Sequence, residues 1–226
     1  MVQKIIAFLL ALVTVAASVG CNKAADTVEP TEPSVSDTMP VAEAMPTETA
    51  EQETSEIPAT APAVERVDIA FDFARQSTSA SNQLAVWIED ADGNMVKTLL
   101  VTSFTASRRG YRNRDMSLSA WVKAANPESM SDTEIDAISG ATPSTGTMTL
   151  SWDMSDMNGN RVPDSTYTIK VEGTLYWGSN VLYTAQISTV DTASHKLPVN
   201  MMRSEPDNTQ NEAMIQNLRI TAIAGE

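Results

Sequence analysis

The sequence predicts an all-β fold, a two-sheet β-sandwich with a short helical insertion, and three observations support it. Several runs alternate apolar and polar residues with the period of a half-buried strand. Polar clusters containing Gly93 and Gly159 separate those runs, and Asp-Gly and Asn-Gly pairs favour tight turns. Only one stretch is clearly helical. Short strands divided by turn signals at this density point to a sandwich.

The elements follow in order along the chain. Residues 67–73 alternate as a strand. Residues 83–89 place Leu84, Val86 and Ile88 on one face and Ala85 and Trp87 on the other. The cluster at residues 90–94 then turns the chain into a second β-prone run, 95–101, so the pair reads as a hairpin. Residues 117–125 space Leu118, Trp121 and Val122 at i, i+3 and i+4, a short amphipathic helix that Asn126 and Pro127 stop. Ser131 and Glu134 have capping-box spacing for a further helical turn. Residues 147–152 form another strand with Met148, Leu150 and Trp152 on alternate positions. Asn158 and Gly159 are expected to close a hairpin onto residues 166–172, where Tyr167, Ile169 and Val171 alternate. Residues 181–187 and 218–223 supply two more strands. Trp87, Trp121 and Trp152 are read as core, because aromatic rings bury large areas.

Organisation along the chain is uneven. Lys4 and the apolar run at 5–15, followed by the small residues Ser18, Val19 and Gly20, have the pattern of a signal peptide over residues 1–20. That apolar run is too short to span a bilayer permanently. Residues 21–65 read as an acidic, Pro/Thr/Glu-rich linker. From 22 to 65 there are six prolines, ten acids and one base, a composition that cannot bury enough apolar surface to offset chain entropy. Residues 66–226 carry 13 bases and 19 acids, a net of −6 out of the formal −14, and make one ordinary domain. Mild acidity argues against nucleic acid as a partner.

Cys21 is the single cysteine, which excludes an intrachain disulfide. Its place behind Gly20 resembles the lipobox of bacterial lipoproteins, although Ser18 stands where that pattern has Leu. The resemblance implies lipidation at Cys21 and a membrane anchor, with a plain secretory signal as the alternative. Asn22 in place of the Asp that retains enteric lipoproteins at the inner membrane implies periplasmic display on the outer membrane.

Few residue sets carry chemistry. His195 is the only histidine, so a His/Cys metal centre is excluded and a Ser-His-Asp triad has little basis. Asp153, Asp156, Asn158 and Asn160 resemble a calcium loop, but Met154 breaks the spacing, and a turn whose Asx side chains bond their own backbone accounts for them better. Arg108, Arg109, Arg112 and Arg114 crowd into seven residues. They form either a solvated face or an anion site, since guanidinium forks bind phosphate.

Asp136, Ser139, Gly140, Ala141 and Thr142 spell D-x-x-S-G-A-T. A turn between two elements is one reading. The pattern also resembles the acceptor motif on which a flavin transferase attaches FMN, through a threonine phosphoester, in bacterial extracytoplasmic electron carriers. That resemblance implies Thr142 as the acceptor and Asp136 as a contact for the transferase or its magnesium. Gly140 and Ala141 would leave room for the enzyme to reach the backbone, and Arg108 and Arg109 would neutralise the phosphate. Tyr111, Trp121 or Trp87 would stack on the flavin ring.

Residues 84–99 and 150–167, the latter including Trp152, Asp153, Asp156, Gly159, Val162, Pro163 and Tyr167, resemble the immunoglobulin-like domain of the flagellar hook-capping protein. They resemble more closely a periplasmic family called domain of unknown function 2271, over roughly residues 66–190, with Ser165 where its pattern has Gly. An immunoglobulin-like β-sandwich is what this implies. Two functions are therefore expected: a non-enzymatic electron carrier with FMN on Thr142, served by a flavin transferase and a membrane redox protein, or a cofactor-free structural or interaction module of the envelope.

Overall fold

A computed structural model describes residues 63–77, 80–175, 179–205, 207 and 213–225. The expected signal peptide, Cys21 and the linker up to residue 62 lie outside the described residues. Ten strands and four short α-helices are defined among those described. They are β1 (Val64–Phe73), β2 (Gln83–Glu89), β3 (Met95–Thr102), α1 (Ser103–Ala106), α2 (Arg108–Asn113), α3 (Ser119–Ala125), α4 (Asp132–Ile138), β4 (Ser139–Gly140), β5 (Gly146–Trp152), β6 (Thr166–Thr174), β7 (Asn180–Ser188), β8 (His195–Lys196), β9 (Asn200–Arg203) and β10 (Ile215–Ala224). A 3-10 turn at Pro127–Ser129 separates α3 from α4.

One sheet has the order β5-β1-β10-β8 and the other β4-β3-β2-β6-β7-β9. Every pairing is antiparallel except the short β3–β4 contact. The fold is thus an all-β sandwich with a helical insertion between β3 and β4. Alternation along β1 is complete: Val67, Ile69, Phe71 and Phe73 are buried, with Asp68, Ala70 and Asp72 between them half-buried. These side chains meet Leu84, Val86 and Ile88 of β2 and Tyr167, Ile169 and Val171 of β6 in the core between the sheets.

A second core lies on the outer face of the larger sheet. Ala85 and Trp87 of β2 and Val101 of β3 pack there against Ala106, Leu118, Trp121 and Ala125 of the insertion. Every residue of β2 is buried, because helices cover the face that the alternation alone would leave to water. Trp87, Trp121 and Trp152 are all fully buried, as core residues should be.

The two Asx-Gly loops differ from expectation in one respect. Asp90 Oδ1 accepts the backbone N–H of Asp92 (3.0 Å) and Asn94 (2.8 Å), with Gly93 at φ +82°, and this turn closes the β2–β3 hairpin. Asp156 Oδ1 repeats the scheme with Asn158 (2.8 Å) and Asn160 (2.9 Å), and Gly159 sits at φ +81°. However, β5 pairs with β1 and β6 with β2, so this second loop crosses between the sheets and does not close a β5–β6 hairpin. Its turn closes only the Ser155–Arg161 bridge. Trp152 holds the crossing by donating Nε1–H to the Ser155 carbonyl (2.8 Å) and meeting Tyr167 edge-on at 5.3 Å. The Tyr167 hydroxyl donates back to the Pro163 carbonyl (2.9 Å), the corner device of immunoglobulin-type sandwiches. Ser165 is not in a positive-φ conformation, so the missing glycine costs nothing there. Lys97 of β3 bonds Asp153 (2.9 Å), and the Ser155 hydroxyl together with this ammonium holds the Asp153 carboxyl down to about 2.

Candidate functional site

The insertion is built from very short helices, so its shape depends on caps and close contacts more than on propensity. Ser107 caps α2 by accepting the Gly110 N–H. Gly110 lies so close to α1 that a Cβ would stand 1.6 Å from the Phe104 carbonyl oxygen. α3 begins differently. Leu118, at φ 49°, has no oxygen to offer, and the buried Glu172 carboxylate of β6 takes the Ala120 (3.1 Å) and Trp121 (2.9 Å) N–H groups instead. Asn180 donates to the same carboxylate, and burial pushes the Glu172 carboxyl up. α4 opens with the complete Ser131–Glu134 capping box that the spacing predicts. The helices over 103–113 were not expected, because three arginines and a glycine mask any apolar period there.

The D-x-x-S-G-A-T residues are spread over three environments. Asp136 is exposed on α4. Ser139 and Gly140 form β4, pairing in parallel with Val101 and Thr102, and are half-buried. Ala141 is exposed, and the half-buried Thr142 donates its hydroxyl to the Asn82 carbonyl over 3.3 Å. Gly140 is extended, not at positive φ, and an added Cβ would touch only Leu100 at an ordinary 3.9 Å. The motif is therefore not a glycine turn. The fold itself makes no demand for this glycine.

The arginines divide. Arg108 lines a cleft of about 310 Å³ between α2 and α4, together with Tyr111, Asp132 and Asp136. Arg109 is exposed and does not line it. Arg112 pairs with Glu128. Arg114, half-buried, bonds the Ser81 hydroxyl and lies 5.7 Å from the centroid of the exposed Phe104 ring. Ser81 adjoins Asn82, the residue whose carbonyl holds Thr142. Arg114 is thus the guanidinium that the structure ties to the Thr142 neighbourhood, whereas Arg108 accompanies Asp136. Sequence position alone treats the four arginines alike, and nothing in the spacing marks Ser81, Asn82 or Phe104.

The expected stacking role of two tryptophans is corrected. Trp87 and Trp121 have no exposed surface and cannot stack on a ligand ring. Their indole N–H groups are spent on Glu89 (2.7 Å) and Thr98 (3.1 Å). Asp156 is committed to its own loop, and no group of three or more metal-ligating side chains exists among the described residues. His195 lies on β8, exposed, 3.7 Å from Asp191 and with no serine bonded to its ring.

The structure thus defines a class of two-sheet β-sandwich domain with a helical insertion that ends in the 136–142 segment. A family model described as "Predicted periplasmic protein (DUF2271)" matches residues 65–202, and the chain belongs to that family. No curated protein and no solved structure matches it.

Proposed function

We propose that this protein is a lipid-anchored extracytoplasmic electron carrier that holds FMN covalently on Thr142. The observation that carries the reading is the 139–142 segment: extended at Ser139 and Gly140, partly exposed, and containing a glycine that no turn or close approach requires. A segment that must thread a modifying enzyme's active site has a use for such a residue. The residues present fit the group. Thr142 offers a hydroxyl with one long hydrogen bond to surrender, and Arg114 brings positive charge next to Asn82 for the phosphate diester. In the attachment step, a flavin transferase takes FAD as donor. The Thr142 hydroxyl loses its proton and forms the new O–P bond, and the bond between the two phosphates breaks to release AMP. The bound flavin supplies two-electron chemistry, reduced and reoxidised by membrane oxidoreductases. The tyrosine corner and paired Asx loops support kinship with hook-capping-type immunoglobulin-like domains.

The test is coexpression of the full chain with a flavin transferase in an export-competent host. The intact mass is expected to rise by one FMN residue, with a band that fluoresces after denaturing electrophoresis. Thr142→Ala should abolish both signals and Thr145→Ala should keep them. A folded wild-type chain that stays unmodified, beside a positive control that is modified, would leave the cofactor-free envelope module as the better reading.

The same cells test the anchor. Wild type is expected to incorporate labelled palmitate and partition into detergent, and Cys21→Ser to lose both properties. Equal partitioning of the two chains would count against lipidation and for a plain secretory signal.

A further inference from the structure

We propose that the α2–α4 cleft receives the flavin ring carried by Thr142, with Arg108 and Tyr111 as its positioning residues; this rests on the covalent attachment argued above. About 310 Å³ is at the low end of the ~300–1,000 Å³ spanned by ligand clefts, enough for a flat ring system without its sugar-phosphate arm. Ala106, Pro127, Met130 and Ile135 give the cleft apolar sides. Tyr111, 8 % exposed, keeps a hydroxyl closed off from water with no well-formed hydrogen bond, beside an Arg112 guanidinium already committed to Glu128. An unmade buried hydrogen bond costs about 1–3 kcal/mol, and a heterocycle carbonyl or ring nitrogen in the cleft could recover it once the Tyr111 hydroxyl turns out of its closed position.

The reach is compatible. α4 ends at Ile138 and β4 follows directly, so Thr142 stands four residues beyond the helix that walls the cleft, at most roughly 13 Å of chain. A ribityl phosphate arm covers a span of that order. The reading also explains why D-x-x-S-G-A-T is split: Asp136 lines the ring's cleft while Thr142 holds the arm. Arg108 would favour negative charge arriving on the ring, and Asp132 and Asp136, which face the same space, would oppose it.

The experiment uses full-length protein loaded with FMN and verified by intact mass. Iodide quenching of the flavin should be several-fold weaker than for free FMN. Ile135→Trp, which fills the cleft, should keep the adduct and raise quenching towards the free value. Arg108→Ala should lower the midpoint potential. Tyr111→Phe, the conservative variant, should change the flavin's visible circular dichroism without changing the melting temperature. An adduct quenched as readily as free FMN, or indifferent to all three substitutions, overturns the cleft assignment and leaves attachment standing. Failure to form any adduct on folded protein removes both.

Discussion

Gly110→Ala is expected to unseat the helical insertion while leaving the two-sheet core in place. The new Cβ would lie 1.6 Å from the Phe104 carbonyl oxygen and 2.4 Å from its carbon, and both are backbone atoms with no rotamer to escape through. α1 and α2 must move apart, at a cost of roughly 3 kcal/mol, the upper end for overpacking. In a domain of this size that lowers the melting temperature by roughly 6–12 °C. Trp87 and Trp121 belong to the core beneath the insertion, and Trp152 to the core between the sheets. Tryptophan emission should therefore shift red only in part. A variant that melts like wild type would mean that α1 and α2 do not approach this closely.

Glu172→Ala is expected to cost about 3 kcal/mol, because it strips the buried Trp121 and part-buried Ala120 backbone N–H groups of their acceptor and leaves the Asn180 amide only a long bond to Ser119. The pH dependence has a definite sign. Burial raises the Glu172 carboxyl in the fold above its ordinary 4.5, so the folded chain retains a proton that the unfolded chain has released. Stability from this group is greatest below 4.5 and falls as pH rises through the folded value. Glu172→Gln should flatten that fall. Equilibrium denaturation at several pH values measures it, and a wild-type curve that rises across the same window would contradict a raised carboxyl.

Much of this architecture is legible in the chain. β1, β2, β5 and β6 lie where alternation places them, and β3, β7 and β10 where further β-prone runs do, because each buries a face in the core between the sheets. The α4 capping box was readable for the same local reason: its partners are three residues apart. What escaped detection depends on distant partners. β8 and β9 are short edge strands defined by pairing with β10 and β7, and their own residues are mostly exposed. The crossing at residues 153–165 has hairpin-like turn chemistry, and only the pairing of β5 with β1 reveals otherwise. β1 also starts at Val64, so Val64 and Glu65 belong to the strand although composition assigns them to the linker. At the site, the motif was plain as letters, but the separation of Arg108 from Arg114 depends on how α2 folds back against α1 and Ser81.

The insertion departs from β3 after Thr102 and returns at Ser139 to pair with Val101 and Thr102, the strand's last two residues. Its exit and entry are thus neighbours, and a long excursion between fixed neighbours adds closure entropy only logarithmically with length. Ancestors of this domain would have been free to lengthen, shorten or exchange that excursion without disturbing strand register. One inherited obligation limits the exchange: whatever occupies the gap must roof over Ala85, Trp87 and Val101. Descent within the family can therefore diversify the roof while the walls stay the same.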